Sequence, residues 1–298
     1  MSRRILVTGA TGETGRYTTD LLVSQGFKVR ALVHKADERS EKLKGRGAEV
    51  VVGDLLDFDA VRGAAKGVNA AYFVYPIRPG LIDATAYFAQ AAKEAGLDGV
   101  VNMSQISARE DSKSHAARDH WIAERVFDWS GVPTAHIRPT FFAQWLTYPH
   151  SLTHILERGV ISQPLGHGRH APIATEDQAR FVAAILADPA PHKGKVYPLC
   201  GPVEMDQAGI AEAVGQVIGR PVGYEPISID AYRQRLESAG GMPPFLIQHL
   251  CAVAQDYQDG IFAGTDDIIG RVTGKPPMTV QEFVAAHIDL FRPATAGH

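Results

Sequence analysis

This sequence of 298 residues has little cysteine, no long apolar run and no large excess of charge of either sign. Its two cysteines, Cys200 and Cys251, argue against a disulfide framework and favour a reducing compartment. No stretch approaches the roughly 18 apolar residues that a membrane-spanning helix needs, and glycine interrupts the apolar start MSRRILV too early for a secretory signal. The 30 basic and 33 acidic side chains give a formal net charge of -3, so nothing electrostatic favours nucleic acid or an anionic membrane. We therefore expect a cytoplasmic protein with no nucleic-acid or membrane partner.

Glycine, by contrast, is concentrated near the start, where GATGETG places Gly9, Gly12 and Gly15 at every third position. The apolar residues 5–7 before them are typical of a buried parallel strand, and residues 17–25 after them have helical apolar spacing. The glycines would allow a tight turn at Gly9, close approach of a pyrophosphate at Gly12 and close helix packing at Gly15. The spacing is GxxGxxG rather than GxGxxG, and the absence of GK[ST] disfavours a nucleoside-triphosphate loop. A glycine-rich turn without a ligand is the alternative.

Strand and helix patterns alternate through the first half of the chain. The predicted strands are residues 5–7, 28–33, 49–52, 70–75, 100–103 and 134–137, and the clearest helix between them is 81–95, ended by Gly96. After Pro139 the pattern becomes helix-rich, with helices predicted at 176–187 and at 207–218 after the cap Asp206, and a strand at 195–199. The stretches 229–238 and 243–259 follow, and a capping box at 279–282 opens a last helix. This alternation predicts an α/β fold: a doubly wound parallel sheet, or Rossmann fold, with a smaller helix-rich C-terminal substrate lobe. We assign residues 1–150 to the dinucleotide-binding domain and 151–298 mostly to the lobe, with some segments returning to the sheet.

The end of the second strand bears on the choice between NAD and NADP. An acid there would bind the ribose 2′-hydroxyl of NAD, whereas a basic residue would neutralise the 2′-phosphate of NADP. The strand runs into His34 and Lys35, and acids follow only at Asp37 and Glu38, so NADP(H) is favoured over NAD(H). Lys35 as a solvated loop charge is the alternative. After the third strand, Asp54 is placed either to meet the adenine amino group or to start the next helix.

Several segments resemble the NmrA-like branch of the atypical short-chain dehydrogenase/reductases. They are TGATGETG, GDLLD, VVNMSQIS, IRPTFFAQ and the closing YQDGIFAGTDD with IIGRVTGKPPMTVQEFV. The resemblance covers most of the chain and implies a Rossmann domain that binds NADP(H). The family contains reductases of quinones, dyes and imines, and also redox sensors that bind the dinucleotide without catalysis.

The candidate cofactor contacts combine the glycine turn, the ends of the parallel strands and positions carried over from the family. By resemblance, Val74, Tyr75, Pro139 and Phe141 would flank the ribose and nicotinamide. The complete predicted set is Gly9, Thr11, Gly12, Glu13, Thr14, Gly15, His34, Lys35, Asp54, Leu55, Val74, Tyr75, Pro76, Ser104, Pro139, Thr140 and Phe141.

The catalytic candidates differ from those of the wider superfamily, whose carbonyl-reducing members use Tyr and a Lys four residues later. None of the nine tyrosines here has a lysine at that position. The helix HAARDHWIAERVF instead offers His120 and Glu124, one turn apart, and a carboxylate beside a histidine favours imidazolium as a proton donor. A surface pair of little energetic value is the alternative. Ser104 matches the position of the superfamily's catalytic serine, and a role in binding alone is the alternative without the tyrosine.

Aromatic residues of the second half suggest a wall for a flat substrate. Phe142, Trp145, Tyr148 and Phe245 would form it, and ordinary core packing is the alternative. No metal site is expected, because the pairs His150/His154 and His167/His170 lack a third ligand.

Together these features predict an NADPH-dependent reductase that transfers hydride to a small flat acceptor: a quinone, dye, imine or conjugated carbonyl. The competing hypothesis is a non-catalytic NADP(H)-binding sensor. The small-molecule substrate is the expected partner, and a homodimer is left open.

Overall fold

The computed structural model describes residues 3–292 of the chain. Its strands are β1 Arg4–Thr8, β2 Lys28–Val33, β3 Glu49–Val52, β4 Ala70–Phe73, β5 Gly99–Met103, β6 Thr134–Pro139, β7 Val160–Gln163, β8 Arg169–His170, β9 Val196–Leu199, β10 Met205–Asp206 and β11 Gly223–Pro226. Its α-helices are α1 Glu13–Ser24, α2 Glu38–Gly45, α3 Phe58–Ala65, α4 Leu81–Ala95, α5 His115–Ser130, α6 Pro149–Thr153, α7 Thr175–Ala187, α8 Gln207–Ile218, α9 Ile229–Ala239, α10 Pro244–Gln258, α11 Ile268–Thr273 and α12 Val280–Ala286. Short 3-10 turns lie at Ala143–Thr147, Ala190–His192 and Ile288–Phe291, and a π turn at His154–Arg158.

Within residues 3–292, one sheet contains seven strands in the order β3-β2-β1-β4-β5-β6-β9. The pairings from β3 to β6 are parallel. The His136 amide donates to the Lys195 carbonyl, and the Thr140 amide donates to the Leu199 carbonyl. Both donors and acceptors advance by four residues in the same direction, so β9 is parallel to β6 as well. The order reverses direction between β1 and β4, which is the point where such sheets bind ligands. The predicted doubly wound parallel sheet is confirmed.

Helices cover both faces of this sheet, as β4 shows. Ala71 and Phe73 join an apolar cluster with α3, α4 and α5, in which the rings of Phe73 and Phe88 lie 4.8 Å apart. Tyr72, between them in sequence, points to the other face, where its hydroxyl accepts a hydrogen bond of 2.9 Å from Gln178 of α7. Burial on both faces explains why these strands are short continuous apolar runs.

The fourth strand is shorter than predicted. It ends at Phe73, not at Tyr75, because the side chain of Thr8 replaces the next rung of the ladder. The Thr8 hydroxyl accepts from the Val74 amide at 2.7 Å and donates to the Val74 carbonyl at 2.9 Å. Val74 and the residues after it are thereby free to leave the sheet at its carboxyl edge.

The chain divides into two compact units. The first consists of the chain up to Arg138 and of Thr175–Pro198. The later of these segments contributes β9 to the sheet and α7 to the helices that cover it. The second consists of Pro139–Ala174 and the chain from Leu199 onward, so the division falls at Pro139 rather than at residue 150. Pro139 closes β6, and a proline cannot donate the next backbone hydrogen bond of a ladder.

The second unit is built around its own apolar cluster. Ile161 of β7, Ile210 and Val214 of α8, and Phe283 of α12 are its buried centre. β7 and β11 pair in parallel beside it, and the predicted capping box forms between Thr279 and Glu282 at the start of α12. In the described part of the chain, no helix combines the length and apolarity needed to cross a bilayer.

Candidate functional site

A pocket of about 350 Å³ opens in the first unit, where β1, β2, β3 and β4 end. Ten of the predicted cofactor contacts line it: Gly9, Thr11, Gly12, Glu13, Thr14, His34, Asp54, Leu55, Val74 and Pro76. The lining also includes residues that the sequence analysis did not select: Leu32, Val33, Arg39, Gly53 and Arg78. The remaining predicted contacts lie outside it: Gly15, Lys35, Tyr75, Ser104, Pro139, Thr140 and Phe141.

The three glycines have distinct geometric roles at one end of this pocket. Gly9 has φ of +57°, the left-handed conformation that glycine adopts without strain, and its carbonyl accepts from the Gly12 amide at 2.9 Å. A Cβ on Gly15 would collide with the Gly9 carbonyl and lie 2.8 Å from the Ala10 Cα. Gly15 is therefore a packing residue that holds α1 against the turn, although it does not line the pocket.

The amino end of α1 points into this pocket without a side chain to cap it. Gly12 is the N-cap and has extended backbone, and it makes no side-chain capping bond. The first amide that continues the helix is that of Arg16, which donates to the Gly12 carbonyl at 3.0 Å. A helix start of this kind carries partial positive charge and amides available to an anion. The pocket residues therefore suit a pyrophosphate.

The basic residue that follows β2 and lines the pocket is Arg39, not Lys35. Lys35 is exposed and outside the lining, whereas Arg39, in the first turn of α2, contributes to it. Asp37 caps α2 by accepting from the amides of Arg39 and Ser40, and its carboxylate also receives the Arg39 Nε at 3.1 Å and Nη2 at 2.7 Å. These bonds to Arg39 and the backbone lower the pKa of Asp37. The acid that NAD recognition would need is thus already bound to a neighbouring arginine.

Asp54 also lines the pocket, close to the side chains of His34 and Arg78. Its carboxylate is 3.5 Å from His34 Nδ1 and 3.7 Å from Arg78 Nη2, and it accepts from the Leu56 amide at 3.0 Å. It does not start the next helix, since Asp57 caps α3 by accepting from the amides of Asp59 and Ala60. Asp54 is therefore left at the pocket wall, where its free acceptor positions suit an adenine amino group.

Tyr75 follows β4 but turns away from the pocket. It is buried, its hydroxyl donates to the Pro79 carbonyl at 2.9 Å, and the Arg78 Nε donates to it at 3.2 Å. The Arg78 guanidinium also lies 5.2 Å from the centre of the Tyr75 ring. Tyr75 thus positions Arg78, which itself lines the pocket.

The predicted catalytic residues are buried around α5. Glu124 is fully buried and accepts from Arg138 through Nε at 2.8 Å and Nη2 at 2.6 Å. Burial raises the pKa of Glu124, but the hydrogen bonds and the charge of Arg138 outweigh it and lower the pKa below its ordinary value. Arg125 Nη2 also lies 3.4 Å from Glu124 Oε2, and His120 is buried one turn earlier on the same helix. Both residues are buried, so they do not form the exposed surface pair that was the alternative, and the catalytic His120–Glu124 pair stays a prediction.

A second cavity, of about 590 Å³, lies within the second unit. Three of the four predicted wall aromatics line it, namely Phe142, Trp145 and Tyr148, whereas Phe245 does not. Phe141 lines it too, and its ring stacks on Phe262 at 4.7 Å. Helices α9 and α10 supply the facing wall, mostly with aliphatic side chains. A cavity of this size and apolarity suits a small aromatic molecule.

Histidines of the second unit are bound to other protein groups. His170 Nδ1 lies 2.7 Å from the Tyr257 hydroxyl, and burial lowers the pKa of His170 to about 3, so the imidazole is neutral. The rings of His150 and His154 lie 4.4 Å apart. In residues 3–292 no group of three or more His, Cys, Asp and Glu side chains is arranged to hold a metal ion.

Comparison with known proteins places this geometry in a family. Residues 1–284 match the profile of the NmrA-like family. An NAD(P)H azoreductase of Xenophilus azovorans is 33% identical over 294 residues, which are 96% of this chain and 99% of that protein. The structure of an NADPH-dependent quinone oxidoreductase from Escherichia coli in complex with NADPH is 25% identical, has a TM-score of 0.82, and aligns over 95% of this chain and 99% of its own. A negative transcriptional regulator, NmrA, solved with NADP, is 16% identical with a TM-score of 0.79 over 95% of this chain and 94% of its own, and shares the fold.

The match extends from the glycine turn, through the sheet that carries the pocket, into α12 of the second unit. It therefore includes every element that lines the two cavities. The chain belongs to the NmrA-like family.

Proposed function

We propose that this protein is an NADPH-dependent reductase that transfers hydride to a flat small-molecule acceptor such as an azo dye or a quinone. The observation that carries the proposal is the uncapped amino end of α1, which opens with Gly9 and Gly12 into the pocket of the first unit. Relatives named as an NAD(P)H azoreductase and as a quinone oxidoreductase align over nearly the whole chain and support the choice of acceptors.

Different residues of the pocket would bind different parts of the dinucleotide. The amides at Gly12, Glu13 and Thr14 would hold the pyrophosphate, Asp54 the adenine amino group, and Arg39 the 2′-phosphate. When bound, NADPH supplies the hydride. The chain's own contribution is to orient the dinucleotide and to exclude water from it.

Recognition of the 2′-phosphate gives the first prediction. NADPH should bind at least about tenfold more tightly than NADH, because charge-assisted bonds from an arginine to a phosphate are worth more than 1 kcal/mol. Arg39→Ala should remove most of that preference, because it deletes the phosphate-binding charge and releases Asp37 for the ribose 2′-hydroxyl of NADH. NADPH affinity should fall and NADH affinity should not, as measured by calorimetric titration of both cofactors. Lys35→Ala is the matched control, since Lys35 is exposed outside the pocket. Loss of the preference in Lys35→Ala but not in Arg39→Ala would contradict the assignment to Arg39.

Turnover gives the second prediction. Loss of NADPH absorbance should be observed with at least one member of a panel of azo dyes, quinones, imines and conjugated carbonyls. His120→Ala tests the remaining proposed proton donor: a general acid contributes roughly 100-fold or more to kcat, and its loss should not change the Kd for NADPH.

The same experiment distinguishes the reductase from the alternative, a non-catalytic sensor that binds NADP(H). Tight NADPH binding without turnover on any acceptor, together with a protein partner captured in only one redox state of the cofactor, would replace the reductase by the sensor. Absence of binding to any pyridine dinucleotide would overturn both.

A further inference from the structure

The cavity of the second unit has one arginine in a mostly apolar lining. Arg235 of α9 is half-buried and lines the cavity together with the aromatic side chains of Phe142, Trp145 and Tyr148. Opposite them, α10 contributes Leu250 and other aliphatic groups. An arginine in such surroundings is costly unless its charge is balanced, because apolar walls solvate it poorly.

No carboxylate balances this charge within the described residues. Arg235 Nη1 lies 3.4 Å from His150 Nε2, and Nη2 donates to the Ser162 hydroxyl at 3.3 Å. Both contacts are long and both partners are neutral: burial, with a further contribution from the Arg235 charge, lowers the pKa of His150. The guanidinium therefore keeps its full positive charge and most of its donors.

Several other arginines of the same unit are bound by protein groups, and Arg235 is the arginine in the cavity lining. Arg158 binds Glu225 at 2.9 Å, and Arg169 binds Glu204 at 3.3 Å. Arg220, although it has no carboxylate, is held by the carbonyls of Leu156 and Ile155 at 2.8 Å and 3.0 Å. Arg235 is thus the cation left available for an anion that enters the cavity from outside.

We propose that this cavity binds an aromatic acceptor that carries an acidic substituent, a carboxylate or a sulfonate, with its rings against Trp145 and Tyr148 and its anion on Arg235. This substrate class rests on the reductase proposed above. The planar fork of arginine fits the two oxygens of such a group, and the aromatic wall supplies the remaining affinity by burial of the ring faces.

The test compares two ligands that differ only in charge, 4-(phenylazo)benzoic acid and 4-(phenylazo)benzamide, by equilibrium dialysis without cofactor. The wild-type protein should bind the acid roughly tenfold or more tightly than the amide, since a hydrogen-bonded charge is worth at least that factor. Arg235→Gln keeps a donor but removes the charge, and should bind both ligands equally. Arg233→Gln is the matched control: it lies on the same helix, is exposed and is outside the cavity lining, and it should keep the preference.

The outcomes separate this proposal from the reductase itself. Equal binding of acid and amide by the wild type, or a preference that survives Arg235→Gln, overturns the assignment whatever the turnover. With NADPH, Arg235→Gln should raise KM for the acid at least about tenfold with little change in kcat. An Arg235-dependent preference without turnover on any acceptor would keep the acid-binding cavity and reject the reductase. If Arg235→Gln does not fold, the ratio of the two wild-type Kd values and its decrease at high salt decide the question.

Discussion

Replacing Gly15 by alanine should weaken NADPH binding roughly 100-fold, the equivalent of about 2.8 kcal/mol. The added Cβ would meet the Gly9 carbonyl and lie 2.8 Å from the Ala10 Cα. Both obstacles are backbone atoms of the turn itself and cannot rotate away, so α1 must shift from β1 or the turn must open. Overpacking of this kind typically costs about 1–3 kcal/mol. Because the strained atoms belong to the same turn as the amides that would hold the pyrophosphate, we expect much of that cost to appear in cofactor affinity.

Gly63→Ala provides the matched control for this substitution. Gly63 is also helical, in α3, but a Cβ there meets nothing within 4 Å. Alanine is favoured over glycine in a helix by about 1 kcal/mol, so Gly63→Ala should leave NADPH affinity unchanged and should not lower Tm. Calorimetric titration with NADPH and thermal unfolding without it are measured for all three proteins. Wild-type affinity in Gly15→Ala would remove the role assigned to the turn.

Gly12→Ala extends the test if Gly15→Ala fails to fold. A Cβ on Gly12 would lie 3.2 Å from the Gly9 carbonyl, a contact that a small adjustment can relieve. Its methyl group would be added at the pocket lining. The folded variant should therefore lose NADPH affinity with little change in Tm.

The parts of the fold that were predicted correctly are those with a signal in neighbouring residues. The bounds of β2, β3, α4 and α8 coincide with the predictions, because apolar runs, Gly96 and the cap Asp206 are local features. The end of β4 was wrong since it depends on the Thr8 hydroxyl, 66 residues away in sequence from Val74. Local pattern contains no information on such a bond.

The same distinction applies to the two cavities. The glycine turn is a local motif, and its residues were found. Arg39 was missed although Asp37 and Ser40 form a capping box that marks the start of α2, which places Arg39 in the first turn beside the end of β2. That signal was present in the sequence. Arg235, in contrast, is distinctive because it lines the apolar cavity without a carboxylate partner, and both the cavity and partners far apart in sequence require the structure.

Glu124 was selected for its helical spacing from His120, but its partner Arg138 lies on β6, 14 residues further along. Spacing of four residues shows only that two side chains share a helix face. Whether Arg138 approaches His120 or Glu124 depends on how α5 packs on the sheet. The catalytic role of Glu124 stays a prediction, and its burial with Arg138 supports a role in stability.

Removing this buried ion pair has the second large expected effect. Glu124→Gln should lower the free energy of unfolding by about 3–5 kcal/mol, because it leaves the Arg138 guanidinium, whose side chain is only 24% exposed, without a counter-charge. Glu225→Gln is the control. It breaks the surface pair with Arg158, in which both side chains are nearly half exposed, and should cost about 0.5 kcal/mol or less. Denaturant unfolding monitored by circular dichroism measures both.

The double variant and the pH dependence separate charge from packing. Glu124→Leu with Arg138→Met removes both charges and should recover most of the loss, since apolar replacements of buried pairs are often neutral. The lowered pKa of Glu124 means that the folded state favours the carboxylate, so its contribution is present above the unfolded pKa of about 4.3 and disappears as the pH falls through the folded pKa. The difference between wild type and Glu124→Gln should therefore be constant near neutral pH and shrink below about pH 4. A difference that persists unchanged in acid would mean that Glu124 acts through its shape and not through its charge.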